Sequence, residues 1–411
     1  MVNYGRLLGI YTSAFLATAV LVSGQTREVW HGVLDEHPLI QYASRPTTDR
    51  IAALSAAIAD GRTTLEPDPK TGYLAPVLKA LGIPVQSQIL VFSKTGVQAA
   101  FTGPRNPRAL YFDPSVVVGY IPGAPIVEIA AQDPQQGTQF YTIDQGMPKP
   151  RIRRLTSCLS CHVSASTLDV PGFIARSHTV GDDGNVLPQS DTHDVDHRTG
   201  HPDRWGGYYV TTEAVQGYNQ RAHAGNITFD RGGVFSNEVF VNWEAAPPET
   251  LRYPTATSDI VALLIFDHQM HAANLMTRLN WESRIGSNTA PLVNELADYL
   301  LFVGEAPPQV ALAPLPGFAQ WFESKFPKDR RGRSLGQLDL TARLMKYGCS
   351  YMIYSEAFDG LPSAVKQAVY GRMRETIAAK LSSDDAAAVL GILEETKTDF
   401  AAATRQQSGR R

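Results

Sequence analysis

The feature that most constrains this chain is a short motif of cysteine and histidine near the middle of the sequence. The five residues from Cys158 to His162 follow the pattern C-x-x-C-H. This spacing is typical of covalent haem c attachment, in which two thiols add to the porphyrin vinyl groups and the adjacent imidazole binds the iron. The motif therefore predicts one haem c, with its iron, on Cys158, Cys161 and His162.

Two other uses of a Cys-x-x-Cys pair are a redox-active dithiol and half of a zinc site. Zinc would need two further Cys or His residues at a matching spacing, and the chain contains three cysteines in all. A thioredoxin-like pair would follow a strand at the start of a helix, whereas this pair follows a basic loop at 149–154. The third cysteine, Cys349, lies in an apolar stretch and is expected to be a buried, unreactive thiol.

The N-terminus has the pattern of an export signal. An apolar stretch from Leu7 to Val22 follows a single arginine and ends in small residues of the kind that signal peptidase reads. The stretch is shorter than the roughly 20 residues of a membrane-spanning helix, and an uncleaved N-terminal anchor is the alternative. Residues 1–24 are therefore predicted to be a signal peptide of a periplasmic or extracellular protein, which agrees with haem c attachment outside the cytoplasm.

Composition indicates an ordinary globular protein. Hydrophobic residues make up 43% of the chain and charged residues 19%, and the formal net charge is −3. This charge balance gives no indication of a nucleic-acid partner. With 411 residues, the chain is far longer than a small cytochrome needs to enclose one haem, so most of it must serve another purpose.

Periodicity predicts an α+β fold with a β-rich N-terminal half that carries the haem segment and a helical C-terminal half. Helices are predicted at 47–59 and 74–81, from a cap at Ser258 to about residue 285, and at 340–358 and 362–380. The predicted regions are a β-rich part with two leading helices at 35–147, a haem-binding part at 148–246, a helical part at 257–400 and a disordered tail at 401–411.

The sixth ligand of the iron would decide between electron transfer and small-molecule chemistry. Three histidines are the main candidates. His223 lies in a loop beside a predicted strand, where Gly225 would permit close approach to a planar group. His268 and His271 share one apolar face of the long predicted helix, where each buried imidazole needs a partner.

Two more sets of side chains have a predicted role near the haem. Arg151 and Arg154, in the basic loop before the motif, are natural partners for the haem propionates because guanidinium matches carboxylate in a bidentate pair. Histidines at 193, 197 and 201 recur every fourth residue among aspartates. Gly200 and Pro202 argue against a helix there, so a solvated loop is favoured over a second metal site.

Five further runs carry a resemblance to known proteins. They are Arg204–Val210, Arg221–Asn226, Ser258–Leu263, His268–His271 and Ser350–Phe358. Together with the motif, these runs resemble those of a family of exported bacterial proteins that contain a cytochrome c domain, over about residues 35–400. The resemblance implies one haem c, export and electron transfer, and it identifies no substrate. His223, His268 and His271 match histidine positions of the family.

The sequence thus predicts a periplasmic c-type haem protein that exchanges single electrons with a redox partner protein. A haem enzyme of the peroxidase or small-molecule reductase type is the alternative, and its support is the size of the chain. A haem-based sensor is the third possibility. Contact with a membrane is expected only through an uncleaved N-terminal anchor.

Overall fold

The computed structural model describes residues 33–181, 183–188, 192–211, 227–230, 234–235, 252–255, 257–308, 311–312 and 314–408. The predicted signal peptide and the predicted ligand His223 lie outside these residues. The described part has a sheet in its N-terminal half and helices in its C-terminal half, so the predicted α+β class is confirmed.

The strands are short segments rich in β-branched and aromatic residues. In chain order they are β1 (Ile89–Val91), β2 (Arg108–Phe112), β3 (Val116–Tyr120), β4 (Ile126–Asp133), β5 (Gly137–Asp144), β6 (Ile152–Arg154), β7 (Arg176–His178), β8 (Thr192–Asp194), β9 (Tyr208–Thr211), β10 (Ile227–Asp230) and β11 (Val234–Phe235). Within the described residues, nine of them form one sheet in the order β11-β10-β9-β1-β2-β3-β4-β5-β6, and β7 pairs with β8. All pairs are antiparallel except β9 with β10.

The helices are most frequent after residue 259. In chain order they are α1 (Arg50–Ala59), α2 (Leu74–Leu81), α3 (Leu159–His162), α4 (Ile260–Arg284), α5 (Ala290–Leu300), α6 (Phe318–Ser324), α7 (Glu356–Asp359), α8 (Ser363–Lys380), α9 (Ser383–Thr396) and α10 (Thr398–Ser408). In the part of the chain that the structure describes, no helix has the length and apolar character needed to cross a membrane.

The sheet is the middle layer of the fold, with helices on both faces. On one face, Tyr111, Val118 and Ile129 share a buried cluster with side chains of α1 and α2. On the other face, Phe112 packs edge-on against Phe266 of α4, with ring centroids 5.2 Å apart. Because both faces are covered, a strand such as β3 is buried along its whole length.

Strand register shows which face carries the segment with the motif. Residues directly opposite each other in a sheet point to the same side. Phe112 lies opposite Val117, Val117 opposite Ala130, and Ala130 opposite Phe140. Phe140 therefore points to the α4 side, and the ring of His162 packs against it at a centroid distance of 4.6 Å. The motif thus lies on the same side of the sheet as α4.

Helix α4 is the central helix of the C-terminal half. Its N-cap is Asp259, whose carboxylate accepts a hydrogen bond from the Val261 N–H at 2.8 Å. The predicted cap, Ser258, instead ties the helix start to the sheet, donating to the Tyr209 carbonyl and accepting from the Leu90 N–H. Buried residues lie on all sides of α4, as expected for a helix enclosed by other elements.

Two predictions about the C-terminal half are wrong. The helix expected at 340–358 is mostly irregular, with a 3₁₀ turn at Tyr351–Tyr354 and the short α7. Ser350 is buried in this segment, where its hydroxyl accepts from the Met352 N–H and so competes with helical bonding. The tail expected to be disordered from 401 is helical to Ser408, because α10 packs Phe400 against Tyr370.

Candidate functional site

The C-x-x-C-H motif forms one compact helical turn. Cys158 is the N-cap of α3, and its carbonyl accepts hydrogen bonds from the N–H groups of Cys161 at 3.2 Å and His162 at 3.0 Å. Residues three and four positions apart lie on one face of a helix. The turn therefore presents two thiols and an imidazole on the same side, which is the arrangement that covalent haem attachment needs.

Both thiols of the motif are free of disulfide bonds and can be reached from the surface. Cys161 is exposed, Cys158 is half-buried, and neither is in a disulfide. Partial burial raises the pKa of the Cys158 thiol, and the Glu128 carboxylate adds to this rise. Cys349, in contrast, is fully buried, and burial raises its thiol pKa strongly, as expected for an unreactive cysteine.

The His162 ring is held in one tautomer. Its Nδ1 lies 2.8 Å from the carbonyl oxygen of Gly172, and a carbonyl can only accept, so Nδ1 carries the proton. Its Nε2 has no hydrogen-bond partner among the described residues and keeps its lone pair. Burial lowers the pKa of His162, which favours the neutral ring that binds metals. His162, held in this tautomer by the Gly172 carbonyl, therefore fits the role of an axial ligand of haem iron.

A pair of opposite charges lies on the sheet beside the motif. Arg108 of β2 and Glu128 of β4 are 3.7 Å apart, and the Arg108 guanidinium contributes to the lowered pKa of His162. The Nε of Arg108 is buried and has no hydrogen-bond partner within the described residues. A carboxylate such as a haem propionate would provide that partner. Sequence inspection missed Arg108 because it lies 50 positions before Cys158 on a separate strand.

The two arginines predicted to bind propionates have different surroundings. Arg154 of β6 donates to the carbonyls of Tyr42 and Arg45, and its guanidinium lies over the Tyr42 ring at 5.1 Å. It therefore anchors the segment that precedes α1. Arg151 is exposed and makes no hydrogen bond or ion pair inside the described ranges, so its guanidinium is available.

The two helix histidines are bonded to protein groups. His268 is fully buried, its Nδ1 lies 2.8 Å from Nδ1 of His197, and its Nε2 lies 2.6 Å from Oγ of Ser350. Both ring nitrogens are thus occupied, which leaves His268 without a nitrogen for iron in this structure. His271 is half-buried, and its Nε2 accepts from the Arg198 guanidinium at 3.3 Å. Both nitrogens of His268 and the Nε2 of His271 are therefore paired with protein groups other than the motif.

The histidines at 193, 197 and 201 do not form the solvated loop that the sequence favours. His193 is exposed on β8, but His197 and His201 are 2% and 3% exposed. The buried Nε2 of His197 and Nδ1 of His201 lack hydrogen-bond partners in the described part of the chain. Both residues line a cavity of about 10 Å³, which is about the volume that one water molecule needs.

A second metal site finds no support among these side chains. In the residues that the structure describes, no three His, Cys, Asp or Glu side chains lie close enough together to hold a metal ion. Sequence reasoning named His197 but placed it in a solvated loop, because its burial depends on packing against Tyr299 and Phe302, about a hundred positions later.

Comparison with known proteins adds no identification. No family model, no curated protein and no solved structure matches the chain. The resemblance to exported cytochrome c domain-containing proteins therefore stays a prediction from the sequence.

Proposed function

We propose that this protein is an exported c-type haem protein that transfers single electrons, with one haem held by Cys158, Cys161 and His162. The observation that carries the proposal is the geometry of the α3 turn. It presents two free thiols beside an imidazole whose proton is on Nδ1 and whose Nε2 is unbonded within the described residues. This tautomer leaves Nε2 free to bind a metal, as an axial ligand of haem iron requires.

The bound haem would supply a one-electron couple between ferric and ferrous iron. The chain's own residues hold and surround that group. Burial keeps the His162 ring neutral, and the hydrogen bond to the Gly172 carbonyl orients it. Arg108, through its unpaired Nε, and Arg151, through its exposed guanidinium, are the donors proposed for the propionates. Arg154 bonds two carbonyls through its terminal nitrogens, and its buried Nε, unpaired within the described residues, makes it a third proposed donor.

A redox partner protein is the proposed source or recipient of the electron. Cys161 is exposed, so the motif lies at the protein surface, where a haem edge could approach a partner. The alternative of a haem enzyme would require a distal acid or base near the iron. His268 does not serve that alternative, because it is enclosed in the core with both nitrogens bonded.

Covalent attachment is the property that tests the proposal. The protein should be produced with a cytochrome c maturation system and run on a denaturing, reducing gel that is then stained for haem. We expect haem to remain on the wild-type chain and on Cys349→Ser, and to be absent from the double variant Cys158→Ala with Cys161→Ala. Haem that acid and organic solvent extract from the wild type would refute the proposal.

A further inference from the structure

We propose that Asn274 of α4 is a positioning residue for His162, acting through the peptide group between Gly172 and Phe173. The inference rests on the proposed function, because His162 matters as an iron ligand only if haem binds. Asn274 touches neither the thiols nor the imidazole by any hydrogen bond in the described part. Its effect would be transmitted by one backbone segment.

The side-chain amide of Asn274 makes two hydrogen bonds with Phe173. Its Oδ1 accepts from the Phe173 N–H at 2.9 Å, and its Nδ2 donates to the Phe173 carbonyl at 2.8 Å. Asn274 is 2% exposed, so water does not compete for these bonds. The amide therefore holds the backbone at Phe173 from both sides.

The geometry of the peptide group carries this constraint to the histidine. The Phe173 N–H and the Gly172 carbonyl belong to the same planar peptide group, so fixing the direction of one fixes the other. The Gly172 carbonyl accepts from Nδ1 of His162 at 2.8 Å, and the Gly172 N–H donates to the His162 carbonyl at 3.0 Å. Both the ring and the backbone of His162 are therefore tied to the segment that Asn274 holds.

The close approach of α4 to this segment requires glycine at 172. A Cβ at this position would lie 2.3 Å from Oδ1 of Asn274 and 3.0 Å from Cβ of Thr167. One helical turn beyond Asn274, Arg278 donates to the Leu168 carbonyl at 2.8 Å, where Leu168 has a φ of 58°. Two residues on one face of α4 thus hold both ends of the 168–173 loop that follows the motif.

The hydrogen bond on Nδ1 affects the electronic properties of an imidazole ligand. A stronger Nδ1–H···O=C bond makes the ring more basic and favours ferric iron, which lowers the reduction potential. Removing the Asn274 amide would loosen the peptide group and weaken that bond. We therefore expect a higher reduction potential when Asn274 is replaced.

The test compares Asn274→Ala with Asn280→Ala in the haem-loaded protein. Asn280 is a matched control because it is on the same helix, is also 2% exposed, and donates its amide to the carbonyls of Pro134 and Gly360, which are not in the motif segment. Two quantities are measured: the reduction potential and the hydrogen-exchange rate of the Phe173 amide. Asn274→Ala should raise the reduction potential. It should also increase the exchange rate of the Phe173 amide by about five- to tenfold, which corresponds to the loss of one hydrogen bond.

A conservative variant covers the case in which Asn274→Ala fails to fold. Asn274→Asp keeps an oxygen that accepts from the Phe173 N–H, so exchange of the Phe173 amide should be slower than in the alanine variant, and exchange is the readout for this variant because the added carboxylate itself changes the potential. Equal potentials in Asn274→Ala and the wild type, with covalent haem present, would overturn the inference alone. A wild-type protein without covalent haem would overturn the proposed function and the inference together.

Discussion

The Nδ1 atoms of His197 and His268 lie 2.8 Å apart in the core, a hydrogen-bond distance at which one ring donates and the other accepts. Ser350 indicates which ring donates. The Ser350 hydroxyl oxygen accepts from the Met352 N–H, and we assign its own hydrogen to Nε2 of His268. In this assignment His268 carries its proton on Nδ1 and donates to His197, and burial favours the neutral form of both rings.

This arrangement predicts that acid destabilises the protein through the histidine pair. Burial lowers the pKa of both rings well below the usual value. A positive charge on one ring would also make protonation of the other ring less favourable. In the unfolded chain each ring takes up a proton near pH 6.5, so their contribution to stability is present above that pH and is lost below it. Between pH 6.5 and 5, the free energy of unfolding should fall by up to about 2 kcal/mol for each ring.

Urea unfolding at a series of pH values checks this expectation. His197→Gln should flatten the fall in stability between pH 6.5 and 5, because one buried ring no longer titrates. His193→Gln is the matched control, since it makes the same substitution at an exposed histidine on β8. Equal slopes in the wild type and His197→Gln would contradict the neutral pair.

Ser350 should contribute more to stability than a serine that only caps a turn. Ser350→Ala removes the bond to Nε2 of His268 as well as the cap on Met352, and leaves a buried ring nitrogen unpaired. Ser355→Ala removes a comparable cap on the Phe358 N–H and a weak donation to the Met276 sulfur at 3.6 Å. Denaturant unfolding should show a loss of about 2–3 kcal/mol for the first variant and about 1 kcal/mol for the second. Similar losses in both variants would show that the bond between Ser350 and His268 adds nothing to the free energy of unfolding.

Optical spectra should identify the sixth ligand of the iron. If His223 or His271 fills that position, ferric and ferrous spectra are low-spin and carbon monoxide binds slowly, since it must displace an imidazole. Replacing the true ligand by Ala should give rapid carbon monoxide binding, whereas His268→Gln should not, because both His268 nitrogens bond protein groups. A wild-type protein that is high-spin and binds carbon monoxide at once would favour the haem enzyme.

Export can be tested at the N-terminus. The apolar stretch that ends near Val22 predicts cleavage before about Gln25. Mass spectrometry of protein from the periplasmic fraction should find a chain that begins there. A product that retains Met1 and stays with the membrane fraction would replace the signal peptide with an anchor.

Much of the secondary structure could be predicted because its signals are local. The helix predicted at 74–81 is α2 with the same bounds, and the helix predicted from Ser258 to about residue 285 is α4. Their apolar periodicity and flanking turn residues act within one element. The segment at 340–358 has similar apolar residues, but they fill the core as an irregular chain, and periodicity alone does not reveal that outcome.

The candidate site likewise has one part that local sequence predicts and another that depends on tertiary packing. The sequence by itself determined that Cys158, Cys161 and His162 share one face, because a spacing of three and four residues has that result in any helical turn. Only the tertiary structure decided the tautomer of His162, the Phe173–Asn274 bond between residues 101 positions apart, and the burial of His197. Buried polar groups take whichever partners the packing of distant segments brings within reach, and a linear pattern does not contain that information.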